Sequence, residues 1–232
     1  AAHLVQVGWT PHHTQSLPLP MSIEEVFLAR RDQLEPDSPA SKFLEAAAVM
    51  GHRFDADVVK SVVELSGRAL TDDQVDDILD TLLQERIIRE DEDRFSFVHS
   101  LMRESIYRDF HKRKRRRLHR WASEVLARQT GPSPSLSRLQ QLAYHFREAQ
   151  LWEPAFEHQL RAGIETWKLG QASAARRYLE TAQCIYTEHL VDVSATQRVV
   201  LGMTLGDVCR HLGSFEQAVT HYRDVVPLVQ ED

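Results

Sequence analysis

The sequence predicts a mainly α protein: a winged-helix domain followed by an α-solenoid of helical hairpins. Three observations predict it. Amphipathic helices with readable caps fill most of the chain. One strand–turn–strand pattern, from Ile87 to Val98, interrupts them. Two segments of the C-terminal half repeat at a constant offset of 43 residues.

Composition narrows the function classes. The 232 residues are 42% apolar, enough for one large or two small domains with real cores. No apolar run approaches the roughly 20 residues that span a bilayer. No basic segment followed by an apolar one opens the chain, as a secretion signal would. Cys184 and Cys209 form no CxxC and fall within predicted helices, which implies reduced core thiols in a cytoplasmic protein. The net charge of −6 is unevenly placed: residues 1–110 carry 11 basic and 21 acidic side chains, whereas residues 111–120 carry seven basic and none acidic. One sharp basic patch therefore sits on an otherwise acidic chain.

Residues 1–20 read as the tail of an upstream domain and a linker, with Pro11, Pro18 and Pro20 opposing helix. His12-His13 lacks the further ligands of a closed metal site, so no metal is expected. The winged-helix domain with its following basic helix occupies 21–130. Ser22 and Glu25 form a capping box for Ile23–Gln33. Ser38-Pro39 opens a second helix containing Phe43, Leu44, Ala47 and Ala48. Asp55 or Asp57 opens a third, which stops at Gly67, and Thr71 with Gln74 boxes a fourth, Asp72–Glu85. Ile87-Ile88 leads into a strand, Glu90–Asp93 is its turn, and Phe95–Val98 returns as the second strand of a two-stranded wing. At His99 the chain turns, and Ser100 is expected to cap a short helix whose apolar face is Leu101, Met102, Ile106 and Tyr107.

A winged helix invites a DNA reading, in which the third helix enters the major groove. Here that helix offers Asp72, Asp73, Asp76, Asp77 and Asp80, and the wing turn is acidic too. A duplex carries one negative charge per about 1.7 Å of axis and repels such a face. The aspartates read as a solvated face, because no HExxH, EF-hand loop or paired-acid pattern accompanies them. The basic run, Lys112, Arg113, Lys114, Arg115, Arg116 and Arg117, has two readings: contact with a phosphate-bearing partner, or a helix face that pairs with acidic surface of the same protein. No aromatic residues interleave it, which argues against single-strand binding.

Gly131–Ser135 is a linker, and 131–232 reads as helix after helix. Ala162-Gly163, Gly170, Ala175 and Ala182 match Leu205-Gly206, Gly213, Ala218 and Val225 at identical spacing. The segment Leu205–Val226 resembles a tetratricopeptide (TPR) repeat, with small residues where two helices approach and Tyr222 expected to fill the space between repeats. From repeat register alone, Trp167, Lys168, Asp207 and Arg210 are the candidate partner-binding residues on the concave face.

The ordered set of segments resembles the regulatory arm of STAND-type signalling ATPases, which are similar to the NB-ARC and NLR switches and include LuxR-type large regulators and cyclase- or kinase-associated ATPase modules. Leu17–Leu34, Phe43–Asp55, Leu82–Asp91, Arg94–Phe110, Arg115–Leu126 and Leu142–Gly163 carry the resemblance. It implies that His99, after the wing strand, contacts the β-phosphate of ADP and holds the arm closed on an upstream nucleotide-binding domain. Ser100 stands where NB-ARC-type relatives carry Asp, so the wiring of this corner differs. An imidazole donates to a phosphate oxygen, and amides at a helix N-terminus favour anions. No GxxxxGK[ST] motif is present, so the segment itself is expected to be no enzyme and to hold no cofactor, with ADP or ATP bound in the upstream domain of its parent. The helical repeats are then expected to receive a protein partner or small inducer, and no nucleic acid or membrane. The alternatives are a DNA-binding regulator using the basic patch and a plain TPR scaffold.

Overall fold

The structure, a computed structural model, describes residues 35–229. The helix expected over Ile23–Gln33, its Ser22–Glu25 box and the Pro-rich linker lie outside the described residues. Within them the protein is mainly α, with ten helices and one small sheet.

The first helices begin where their caps dictate. In α1 (Pro39–Met50) the Ser38 hydroxyl accepts from Ser41 N–H at 3.1 Å, and Pro39 occupies the first turn, where its missing N–H has no intrahelical partner to lose. Asp55, rather than Asp57, caps α2 (Ala56–Leu65), accepting from Asp57 N–H at 2.9 Å and Val58 N–H at 3.3 Å. The Thr71–Gln74 box closes reciprocally at the start of α3 (Asp72–Gln84).

The sheet has three strands rather than the expected two. A short β1 (Arg53–Phe54) between α1 and α2 joins β2 (Ile88–Asp91) and β3 (Arg94–Phe97) in the antiparallel order β1-β3-β2. Two residues are too few to show a period, but Phe54 earns its strand in packing: its ring lies 5.7 Å from Phe97 and 6.4 Å from Phe43. The hairpin turn is tighter than Glu90–Asp93. Glu90 and Asp91 stay paired with Phe95 and Arg94, and Glu92 takes the left-handed turn at φ 56°.

The remaining chain is helical: α4 (Ser100–Arg108), α5 (Lys112–Arg128), α6 (Leu136–Glu148), α7 (Trp152–Lys168), α8 (Ala172–His189), α9 (Ala195–His211) and α10 (Phe215–Val229). Helix α5 packs on α1 and α2 on one side and on α6 on the other. The apolar core consequently runs as one cluster from Phe43 to Val208.

The 43-residue repeat is a repeat of contacts. In the hairpin α7–α8, Gly163 lies so close to Leu179 that an added Cβ would meet its side chain at 2.7 Å. In α9–α10, Gly206 faces Tyr222 in the same way, at 2.3 Å. Both turns place a glycine in the left-handed region, Gly170 at φ 75° and Gly213 at φ 76°. Tyr222 thus fills space within its own hairpin and not between repeats, and its hydroxyl donates to Asp207 at 2.8 Å. Of the two cysteines, Cys209 is buried as expected, but Cys184 is exposed.

Gly206→Ala tests this contact. In an open helix the change gains about 1 kcal/mol. Here the Tyr222 ring must move, and overpacking of this kind costs about 1–3 kcal/mol. Urea unfolding is expected to show net destabilisation, and a stabilised variant would refute the close approach.

Candidate functional site

Three places carry the residues of interest. The first is the corner between β3 and α4. The last sheet bond at this end runs from Val98 N–H to Ile87 O at 3.0 Å. His99 then keeps an extended backbone (φ −131°, ψ 139°) and α4 begins at Ser100. The cap position therefore belongs to His99, one residue before the expected Ser100, and no side chain caps the helix. The reason is local: Met102 N–H already bonds to His99 O at 3.1 Å, which tightens the first turn. The His99 imidazole and the Ser100 hydroxyl are exposed, and neither has a hydrogen-bond partner among the described residues. Leu101, expected on the buried face of α4, is 48% exposed beside them. Met102 and Ile106 alone of that expected face are buried, and Tyr107 is half-buried.

The second place is the basic run at the start of α5. Six cations at a helix N-terminus oppose the helix dipole, so tertiary partners must hold them. Lys114 donates to Glu45 of α1 at 2.6 Å. Arg115 donates to Tyr107 O at 3.1 Å, a carbonyl at the end of α4 that Phe110 N–H also reaches at 3.4 Å, and covers the Tyr107 ring at 4.3 Å. Arg117 lies 5.2 Å over Trp121. Lys112, Arg113 and Arg116 are exposed and without an ion-pair partner among the described residues. The run is thus divided between internal pairing and open surface.

The third place is the end of the hairpins. Trp167 is half-buried with its ring edge-on to His211, centroids 5.2 Å apart, which brings the ends of α7 and α9 together. Lys168 pairs with Glu165 at 2.7 Å. Asp207 accepts from Tyr222 at 2.8 Å and from Arg210 at 3.5 Å. Asp207 therefore already serves the fold, whereas Arg210 and Lys168 remain exposed.

Sequence reasoning missed a fourth group. His119 of α5 and His145 of α6 are fully buried, with Nδ1 facing Nδ1 at 3.0 Å. The Tyr107 hydroxyl lies 2.9 Å from His119 Nε2, and the Tyr144 ring stands edge-on to both imidazoles. An Nδ1–Nδ1 bond needs one N–H and one lone pair, so the two rings are not both protonated, and with burial keeping both neutral they carry complementary tautomers. Burial is the main cause that holds them so: it lowers the His145 pKa to about 4, helped by Arg103. The His119 pKa falls to about 2 through burial first, then through His145, Arg115, Arg103 and Arg147. Burial, followed by Tyr144, pushes the Tyr107 hydroxyl above its usual range. The signal in the sequence was a histidine placed within each apolar stripe, His119 beside Leu118 and Ala122, and His145 between Leu142 and Phe146.

Among the described residues no group of three or more His, Cys, Asp or Glu is placed to hold a metal ion, and no helix is long and apolar enough to cross a membrane. No protein-family model, curated protein or solved structure matches this chain.

The histidine pair makes stability depend on pH. Both folded pKa values lie below the ordinary 6.5, so the unfolded chain binds more protons between about 4 and 6.5. The stabilisation is fully present above 6.5 and is lost as pH falls, by up to about 1.4 kcal/mol per pH unit for each histidine. Urea midpoints measured from pH 7 to pH 4.5 are expected to fall steeply for the wild type and less steeply for His145→Leu. Parallel profiles would show that the pair does not set the dependence.

Proposed function

We propose that this chain is a non-catalytic regulatory arm of a nucleotide-switched signalling ATPase of the STAND type. In this reading the N-terminal helices and sheet form a winged helix, which clamps the ADP-bound state of an upstream domain. TPR-like helical hairpins receive a protein partner or inducer. The observation that carries the reading is the free His99 imidazole, exposed beside exposed Ser100 and Leu101 at the strand-to-helix corner. A histidine bonded to neighbouring backbone would be a structural strand end; this one has its donors uncommitted among the described residues.

Other observations lend support. Three helices and strands in the order β1-β3-β2 follow the winged-helix sequence of elements. The repeated Gly163–Leu179 and Gly206–Tyr222 contacts suit stacked helical hairpins. The five aspartates of α3 are all exposed, and Lys114, Arg115 and Arg117 are engaged internally, both of which disfavour groove-reading of DNA.

The mechanism is a population shift. ADP bonded to His99 would be held by two domains at once, and closure is stabilised by that differential contact alone. A hydrogen bond to a charged group contributes about 1.5–3 kcal/mol. Calorimetry on the full-length parent is therefore expected to show His99→Ala weakening ADP about tenfold or more, with ATP affinity unchanged. Equal affinities for wild type and variant would remove His99 from nucleotide sensing and leave the scaffold reading.

A further inference from the structure

The hairpin α9–α10 carries an apolar stripe that the described residues leave open. Phe215, Val219, Tyr222 and Val226 of α10 recur at intervals of four, three and four, the spacing that keeps one seam of a helix turned toward a partner helix. Phe215 is 65% exposed, Val219 and Val226 are each 52% exposed, and Tyr222 is half-buried against Gly206. Helix geometry fixes the side on which the stripe lies. Gly202 and Gly206 face Val225 and Tyr222 across an antiparallel hairpin. One further residue turns each helix by about 100°, which brings Met203 and Val226 out on the same side. Met203, 44% exposed, thus extends the stripe onto α9. Helix α8 holds the opposite side, where Arg176 donates to Gln217 at 2.9 Å.

Single exposed apolar residues need no partner, but a continuous stripe along three turns of one helix marks an interaction surface. Its charged edge selects the partner. Glu216 and Arg223 stand seven residues apart along the edge away from α9, both exposed and neither in an ion pair among the described residues. In a parallel pairing with a second α10, that edge would face the positions of Ala218 and Val225, which are already buried. In an antiparallel pairing the edge faces its own copy. Glu216 then meets Arg223 of the partner subunit, and the two-fold axis makes the same pair again. The same axis sets Phe215 opposite Val226 of the partner subunit and Tyr222 opposite Val219 of the partner subunit, a large side chain against a small one each time. The stripe is therefore complementary to itself in charge and in shape.

We propose that this face pairs with a second copy of the chain, α10 lying antiparallel on α10 across a two-fold axis. From Phe215 to Val226 the seam runs about 16 Å. Three turns of one helix bury less than the roughly 800 Å² per partner of a standard interface, so the dimer is a weak and reversible one. Neither His99 nor any nucleotide enters, so this inference and the reading above fail separately.

The test is sedimentation velocity on the full 232-residue chain at concentrations from about 5 to about 500 µM. A shift from monomer to dimer and no further is expected, with a midpoint of about 10–100 µM for a contact at the small end of interface sizes. Val219→Glu changes an exposed site, so circular dichroism is expected to match the wild type while the midpoint rises at least tenfold. Glu216→Arg and Arg223→Glu are each expected to weaken the dimer several-fold by setting like charges together. The double exchange Glu216→Arg/Arg223→Glu is expected to recover the wild-type midpoint within about twofold. Leu169→Glu, at an exposed apolar residue outside the stripe, is the control and is expected to leave the midpoint unchanged. The proposal is overturned if the wild type stays monomeric throughout, if assembly grows past the dimer, or if Val219→Glu associates like the wild type. A double exchange that fails to recover the dimer would also overturn it, by removing the antiparallel pairing. Equal weakening by Leu169→Glu would do so by showing unspecific apolar association.

Discussion

The structure depends on burying α5 from two sides at once. Its first turns are six consecutive cations, a sequence that disfavours helix at an N-terminus. What forms the helix is the stripe of Leu118, His119, Ala122, Val125 and Leu126, all buried. One side of the helix rests on α1 and α2 and the other on α6. Remove that double burial and the sheet-bearing half shares no core with the hairpins. The charged residues then arrange themselves around the packing. Glu45 draws Lys114 toward α1, and Arg115 and Arg103 each satisfy a carbonyl at the end of a neighbouring helix, Tyr107 O and Ala48 O.

The histidine pair sits inside this junction, and its energetics differ from those of the apolar stripe. Two leucines would bury there without any condition. Two imidazoles are tolerated only because each finds a partner and neither carries a proton too many. Apolar contacts are indifferent to small rotations of one helix on another, whereas a 3.0 Å N–H···N bond is directional. The Tyr107–His119–His145 chain therefore ties α4, α5 and α6 into one register while adding a requirement for neutrality.

Much of this was legible in the sequence, for reasons that individual residues make plain. Caps are local chemistry, so Ser38, Thr71 and Gln74 marked their helices correctly. Hydrophobic period is also local, and it placed Leu139, Leu142, Ala143 and Phe146 in the core. Strand β1 was not legible, because a two-residue strand has no period and exists only through Phe54 packing on Phe43 and Phe97. The turn at Gln150 hid for a related reason. It has the geometry of the Gly170 and Gly213 turns, with Leu151 N–H reaching back to Phe146 O at 3.0 Å, but φ 57° is held there without glycine. Leu101 misled because a period-3.6 stripe names a face and not what covers it; the described residues leave it 48% exposed.

The three histidines show how one residue type is assigned opposite tasks by its surroundings. His119 has both ring nitrogens engaged, Nε2 with Tyr107 and Nδ1 with His145, and burial opposes any charge on it. Such a ring cannot greet an anion without breaking the junction it holds. His99 stands on a one-residue corner between a paired strand and a helix start, with neither nitrogen used by the described residues. Its backbone is pinned by Val98 N–H to Ile87 O on one side and by Met102 N–H to His99 O on the other, so the side chain is positioned without being spent. In the proposed reading, this fixed corner, with its uncommitted imidazole and a half-exposed leucine beside it, is where an upstream domain would complete the contact. The buried pair cannot play that part, and that contrast is why the corner, rather than the more unusual cluster beneath α5, anchors the functional reading.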